Sequence, residues 1–181
     1  ILPMADGFGL ARVWGCAREA AAAPEVPGQT ILAQGTDPDD PTDDPPRTVV
    51  VKLTNELPAP SAIHLHGGHT APEFDGHPED KIEPNDPTKP NNHPVKFFVY
   101  PNDQLAPPLW FHDHTNDHTA EHVYNGLAAR YLIADRCERN RNLPTGAHEV
   151  SLVLQDRRFT SMGDLVPYDA DPGQIKVSGL A

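Results

Sequence analysis

Long apolar runs are missing from this chain of 181 residues. No stretch reaches the roughly 18 consecutive apolar residues of a membrane-spanning helix, so the sequence predicts no membrane as a partner. Basic residues are scarce as well, because 14 Lys and Arg stand against 26 Asp and Glu and leave a formal net charge of −12. A surface of that sign repels phosphate groups, so nucleic acid is not expected as a partner.

Cysteine is nearly absent. Cys16 and Cys137 allow at most one disulfide bond. Each lies beside a strand-like segment, so the two thiols can pair, but two free thiols fit the sequence equally well. The first residue is Ile1 rather than Met, which predicts that an upstream leader or further sequence has been removed or left out.

Proline is abundant and helical periodicity is rare. The 21 prolines exceed twice the average share of roughly 5%, and 181 residues suit one domain with its own core. We predict that residues 1–181 form a single domain, an all-β antiparallel sandwich with one short helix. The helix covers residues 117–124, is capped by Asn116 or Asp117 and ends at Gly126. Strands are predicted at residues 28–34, 48–54, 61–66, 95–100, 107–114, 127–134 and 148–155.

Histidines occur twice in the pattern His-x-His. His64 and His66 end one predicted strand, and His112 and His114 end another. In an extended strand, residues i and i+2 project from the same face, roughly 6.5–7 Å apart. Each pair follows apolar residues, where an imidazole without a partner is costly to bury. Four such imidazoles predict a metal centre, and ligation by imidazole alone favours Zn, Cu, Fe or Ni over Mg or Ca.

The other histidines carry weaker signals. His69 lies close enough in sequence to His66 to reach the same metal, but a loop residue without such a role is the simpler interpretation. His118 and His122 are spaced i, i+4 and share a helical face, which is compatible with metal binding and with an ordinary polar face. Three more lie in polar segments and are predicted to be surface residues: His77, His93 and His148.

Two other classes of metal site use similar motifs. A cupin site needs a Glu four or five residues after the second His, and those positions hold Thr70 and Ala71. A zinc hydrolase of the metallo-β-lactamase type uses the pattern His-x-His-x-Asp-His. The corresponding run here has one residue too many before its Asp. A zinc site built from His112, His114 and His118 stays open as an alternative.

The motifs His64-Leu-His66-Gly67 and Trp110-Phe-His112-Asp-His114 resemble those of the multicopper oxidases, the family of laccases and bilirubin oxidases. The resemblance extends broadly over the domain and is strongest to the branch of spore-coat laccases and bilirubin oxidases. The supporting segments are residues 27–31, in which Gln29 departs from the family pattern, together with 50–57, 75–76, 123–127 and 152–159.

The resemblance implies a cupredoxin-like Greek-key β-sandwich, the first domain of such an oxidase, with residues 160–181 as a linker towards a second domain. It also implies oxidation of phenolic or similar small substrates, coupled to reduction of O2. The implied location is extracellular, periplasmic or at the surface of a spore or cell.

Copper is the cofactor that the resemblance implies. His64 is the implied ligand of a type 2 copper, and His66, His112 and His114 are the implied ligands of a type 3 pair. The domain would then supply half the histidines of a trinuclear cluster. Asp75 is implied to orient a ligand or to relay protons as O2 becomes water.

The family pattern is incomplete at the type 1 copper, which needs one Cys and two His. Neither Cys16 nor Cys137 has a His within ten residues, so this site is expected outside the chain. The remaining cupredoxin domains, in the same polypeptide or in a second chain, are the implied partners, and the 181 residues alone are expected to be inactive. Three interpretations follow: part of an oxidase, a stand-alone non-catalytic copper-binding module, or a zinc hydrolase.

Overall fold

The computed structural model describes residues 28–89, 92–150, 152–158, 161 and 165–167. Two 3-10 turns, Pro72–Phe74 and Gly146–His148, lie in the connections. The strands and helices of the described residues are β1 (Gly28–Gln34), β2 (Val49–Thr54), β3 (Ile63–His66), β4 (Val95–Tyr100), β5 (Pro108–Asp113), α1 (Thr119–Tyr124), β6 (Ala128–Ala134) and α2 (Arg136–Arg139).

The strands form two sheets. One has the order β1-β6-β5-β3, and the other consists of β2 and β4. The all-β sandwich is confirmed, but it is not wholly antiparallel as predicted, because β1 and β6 run parallel. A parallel pair needs a long crossover connection, and most of the domain lies between these two strands in the sequence.

Both sheets contribute to one apolar cluster, so they pack face to face. Buried and more exposed positions alternate along β3 and along most of β6, and this alternation sends every second side chain inward. Burial of one such Leu or Phe side chain contributes about 1.5–3 kcal/mol. The cluster includes Leu53, Phe98 and Tyr100 from the two-stranded sheet and Leu65, Phe111 and Tyr131 from the four-stranded sheet.

The strand predicted at residues 148–155 is wrong. In the described part of this segment no residue has strand structure, and its first residue, His148, ends a 3-10 turn. Val150, Leu152 and Leu154 are exposed, Leu154 at 86%. Apolar alternation alone does not form a strand, because the backbone N–H and C=O groups also need a partner strand.

Two helices form among the described residues where one was predicted. α1 begins two residues later than expected, after His118 and without a side-chain cap, and it ends just before Gly126. α2 follows β6 directly. It is capped by Asp135, whose carboxylate accepts a hydrogen bond from the N–H of Glu138. The prediction overlooked this Asp as a capping signal.

Within the described residues no helix is long and apolar enough to cross a membrane. Cys137 is exposed on α2, with the Arg141 side chain 3.7 Å from its sulfur. Its possible partner Cys16 lies outside the described residues, and so does most of the predicted linker 160–181. The pairing and the linker therefore stay predictions.

Candidate metal centre

The candidate metal centre is built on the pairing of β3 with β5. The antiparallel register sets His64 directly opposite His112 and His66 opposite Trp110. Directly opposed residues have Cβ atoms about 4.5–5.5 Å apart. Since alternate side chains point to opposite faces, Leu65 and the other apolar neighbours face the core, and the histidines share the other face.

Four imidazole rings are brought together by this register. The ring centroid of His64 lies 5.3 Å from that of His66, 5.5 Å from that of His112 and 5.3 Å from that of His114. The centroid of His112 is 5.6 Å from those of His66 and His114. The structure thus gathers all four histidines that the sequence predicted as ligands.

A backbone carbonyl sets the orientation of His64. Nδ1 of its ring lies 2.6 Å from the carbonyl oxygen of Asp75, and because a carbonyl only accepts, Nδ1 carries the proton and Nε2 keeps its lone pair. The contact depends on Gly76, whose φ is +77°. A Cβ there would lie 1.7 Å from the carbonyl oxygen of Ile63. Only glycine fits at this close approach of the loop to β3.

His112 is oriented by its own strand. Its Nδ1 donates to the carbonyl oxygen of Asp113 at 2.8 Å, which again leaves Nε2 free to bind. Burial lowers the pKa of His112 to about 4 and outweighs this hydrogen bond, which favours the charged ring. The ring is therefore neutral at neutral pH, and neutral imidazole is the form that ligates metals.

Trp110 packs against two of the histidines. Its ring centroid lies 5.2 Å from that of His66 and 4.2 Å from that of His112, in stacked geometry. Nδ1 of His66 in turn lies 3.4 Å from Nε2 of His112. The sequence motif included Trp110 without giving it a role. The structure shows that the flat ring of Trp110 lies against both imidazoles, where it can limit their rotation.

His114 lies one residue beyond the end of β5. Its backbone N–H donates to the carbonyl oxygen of Ala62 at 2.7 Å, which holds it beside β3. The Nδ1 atom of its ring is buried and has no hydrogen-bond partner among the described residues. An unsatisfied buried polar atom costs about 1–3 kcal/mol, and a ligand from outside the chain would offset this cost.

The donor set fits a metal ion. His64, His66 and His112 each offer a ring nitrogen, and the three ligand atoms lie within 4.8 Å of one another. Metal-ligating histidines commonly donate their second ring N–H to a carbonyl group, as His64 and His112 do here. These residues can therefore hold a metal that prefers imidazole, a class that includes copper and zinc.

Asp75 lies at the edge of the centre. Its Oδ1 is 3.4 Å from Nδ1 of His64 and 3.4 Å from the hydroxyl of Thr70, and its side chain is 48% exposed. The short contact with His64 comes from the Asp75 backbone carbonyl and not from its carboxylate. The carboxylate is thus near the centre and open to solvent, an arrangement that suits proton exchange.

A buried carboxylate, Asp113, separates the two histidines of the second pair. The Ser61 hydroxyl donates to it at 2.7 Å and the Thr115 N–H at 2.9 Å, and Nδ1 of His122 lies 3.0 Å away. Burial alone raises the pKa of Asp113, but the contacts with His122, Ser61 and Thr115 outweigh burial and hold this pKa below its ordinary value. Sequence reasoning treated Asp113 as a spacer. Strand alternation places Asp113 on the core-facing side, and a charged residue at such a position could have indicated a buried polar contact.

The remaining histidines lie outside the cluster of three. His77, His93 and His148 are exposed, as predicted, and His69 is an exposed loop residue. His118 stacks on His122 at 5.4 Å and lies 3.5 Å from Glu121. His118 therefore faces groups of its own helix, and the predicted alternative of a zinc site at His112, His114 and His118 gains no support.

Comparison with known proteins agrees with this geometry. A family model described as multicopper oxidase matches residues 44–138. A bilirubin oxidase of Albifimbria verrucaria is 39% identical over 130 residues, which cover 70% of this chain and 21% of that protein. A laccase of Bacillus stratosphericus is 37% identical over 105 residues, 58% of this chain and 21% of that protein.

The fold is also found among solved structures. A variant of a multicopper oxidase from Aquifex aeolicus superposes with a TM-score of 0.57 and 25% identity, covering 76% of this chain and 27% of that one. The chain thus spans roughly a fifth of the length of the two curated relatives above. The family model covers more than half of the described sandwich, including both His-x-His pairs and the strands that carry them. This chain belongs to the multicopper oxidases.

Proposed function

We propose that this chain is a copper-binding domain of an oxidase that couples the oxidation of phenolic or similar small substrates to the reduction of O2. The observation that supports the proposal most directly is the register of β3 and β5, which sets His64 opposite His112. In the proposal His64 binds a type 2 copper. His66, His112 and His114 bind a type 3 pair.

Bound copper would supply the one-electron redox chemistry that reduction of O2 requires. The role of this chain in the proposal is to hold neutral imidazoles in fixed orientations. The carbonyl groups of Asp75 and Asp113 keep the proton of His64 and His112 on Nδ1, away from the ligating nitrogen. The stacked Trp110 limits the motion of the rings. Orientation fixed before binding lowers the entropy cost of metal capture.

The centre is half built in this proposal. Four imidazoles do not satisfy three coppers, and His66 and Trp110 are exposed on the open side of the cluster. The curated relatives are about five times as long as the matched part. We therefore propose the further cupredoxin domains of such an oxidase as partners, docking on this exposed side and contributing the missing histidines.

Oxygen uptake with a phenolic donor tests the proposal, measured together with copper per protein. The 181-residue chain is expected to bind fewer than three coppers weakly and to consume no O2. Joining it to the remaining domains, covalently or as a second chain, is expected to restore both copper content and O2 consumption. The matched control is the same assembly with His64 and His112 replaced by alanine.

Three outcomes contradict parts of this proposal. Steady reduction of O2 by the chain alone would require another source of ligands and overturn the half-built centre. Full copper binding without any O2 consumption in the completed assembly would favour a non-catalytic copper-binding module. Zinc instead of copper in the native protein would favour the alternative interpretation as a zinc hydrolase.

Asp75→Asn is expected to retain copper and to lower turnover by about 10²–10⁴-fold, the range of general acid–base contributions. The amide preserves shape but cannot carry a proton, and the backbone carbonyl that holds His64 is unchanged. Turnover and copper content are compared with those of Glu73→Gln, an exposed carboxylate of the same turn. Parental turnover of Asp75→Asn at every pH would contradict a proton-relay role.

A further inference from the structure

Asp113 and His122 form a buried polar pair that metal binding itself does not explain. Asp113 is 0% exposed and His122 is 3% exposed. Nδ1 of His122 lies 3.0 Å from Oδ1 of Asp113. A carboxylate is rarely buried unless its oxygens are paired. The pair joins the end of β5 to helix α1, on the core side of the sheet and opposite the imidazole cluster.

Two donors and one imidazole surround the Asp113 carboxylate. The Ser61 hydroxyl donates to Oδ2 and the Thr115 N–H donates to Oδ1. Nδ1 of His122 lies 3.0 Å from Oδ1 but outside hydrogen-bond geometry, so it contacts the carboxylate without donating to it in this structure. The Thr115 hydroxyl also accepts the N–H of Ala62 at 2.9 Å. The carboxylate therefore links the chain before β3, the chain after β5 and helix α1. These segments flank both His-x-His pairs.

The backbone of Asp113 is in direct contact with one proposed ligand. Its carbonyl oxygen accepts the Nδ1 proton of His112 at 2.8 Å, and its N–H donates to Leu127 at 3.0 Å. Leu127 in turn donates to the carbonyl oxygen of His122 at 3.0 Å. Any rotation of Asp113 that follows loss of its side-chain partners would move the carbonyl that orients His112.

We propose that His122 and Asp113 are a positioning pair that fixes the orientation of His112, an inference that rests on the proposed copper-binding function. His122 acts through Asp113 and does not bind the metal. Its ring contacts the carboxylate, the carboxylate holds the peptide between the two histidines, and the carbonyl group of that peptide holds the ring of His112. Partners of this kind commonly change metal affinity about 10–100-fold when removed.

Three variants of the full chain test the pair. His122→Leu keeps bulk but removes the ring nitrogen that lies 3.0 Å from the Asp113 carboxylate, and copper affinity is expected to fall at least tenfold. His122→Asn places an amide N–H where Nδ1 was and is expected to restore affinity to within about threefold of the parent. His148→Leu, an exposed histidine outside the cluster, is the matched control and is expected to bind copper like the parent.

Two readouts separate positioning from simple stabilisation. Urea titration first establishes that each variant is folded in the absence of denaturant. Copper affinity is then measured by chelator competition without denaturant. Electron paramagnetic resonance of bound Cu(II) is expected to change in His122→Leu and to return in His122→Asn. Parental affinity and spectrum in folded His122→Leu would overturn the inference.

A milder variant is available if His122→Leu does not fold. Ser61→Ala removes only the donor to Oδ2 of Asp113 and is expected to shift the copper spectrum in the same direction. An unchanged spectrum and affinity in Ser61→Ala would then overturn the pairing.

Failure of the proposed function is recognised separately. If the parent chain binds no copper, the copper assignment fails, and nitrogen NMR of the metal-free chain still decides the positioning role. In the metal-free parent the His112 ring is expected to hold its proton on Nδ1. His122→Leu is expected to populate both tautomers, and an unchanged single tautomer would overturn the inference.

Discussion

Copper bound by the chain is expected to fall sharply when His64 or His114 is replaced by alanine. The rings of His64 and His114 are neighbours in the cluster, with their centroids 5.3 Å apart. Loss of an outer partner of a metal ligand already costs about 10–100-fold in affinity, so loss of the ligand itself is expected to exceed about 100-fold. Chelator competition and copper analysis after dialysis measure the effect.

The two substitutions are expected to differ in their effect on stability without metal. His64→Ala removes a hydrogen bond to the Asp75 carbonyl and is expected to lower the free energy of unfolding by about 0.5–1.5 kcal/mol. His114→Ala removes a ring whose Nδ1 is buried without a partner among the described residues. Its free energy of unfolding is therefore expected to change less.

Two exposed histidines provide matched controls. His93→Ala and His148→Ala remove imidazoles that lie outside the cluster, and copper content should stay at the parental level. Loss of copper in either control, equal to that of His64→Ala, would contradict the ligand assignment. Parental copper affinity in His114→Ala would limit the centre to the three converging histidines.

Gly76→Ala is expected to be the most damaging change of one methyl group in the described chain. The added Cβ would lie 1.7 Å from the carbonyl oxygen and 2.3 Å from the carbonyl carbon of Ile63, so the loop must move away from β3. Backbone crowding costs about 1–3 kcal/mol, and a positive φ adds about 1–2 kcal/mol for an L-residue. Urea unfolding should therefore show a loss of about 2–5 kcal/mol.

The same change is expected to weaken copper binding. Gly76 follows Asp75, whose carbonyl oxygen lies 2.6 Å from Nδ1 of His64. Displacement of the loop removes this acceptor and frees the His64 ring to rotate. Copper affinity of folded Gly76→Ala is expected to fall about 10–100-fold, as for other partners of metal ligands.

Gly146→Ala separates crowding from backbone strain. Gly146 also has a positive φ, +62°, but a Cβ there would meet nothing within 4 Å. Only the conformational cost of about 1–2 kcal/mol is expected, with no change in copper affinity. Equal destabilisation by the two substitutions would show that the close approach at Gly76 has no energetic weight.

The individual strands and the faces they present were predictable from the sequence. β1 and β4 begin and end where the pattern placed them, and β2 differs by one residue. Period-two alternation determines which side chains share a face, and this is why both His-x-His pairs could be recognised as candidate ligands. Alternation is a local property, so it needs no knowledge of neighbouring strands.

Pairing between strands was decided only by the tertiary structure. The sequence did not determine that β3 would lie beside β5 with His64 opposite His112, or that β1 would run parallel to β6. It also predicted a strand at 148–155, where the described residues have none. Hydrogen bonds between strands depend on which chain segments meet in space, and a periodic pattern does not encode this.

The contacts around the candidate metal centre could likewise not be predicted from the sequence. The sequence determined the four imidazoles, but only the fold places Gly76 against β3, Trp110 on two rings, and His122 on Asp113. Each of these contacts depends on how separate segments of the chain pack against one another. The candidate metal ligands therefore follow from strand periodicity, whereas their orientation follows from long-range contacts that form only when the sandwich closes.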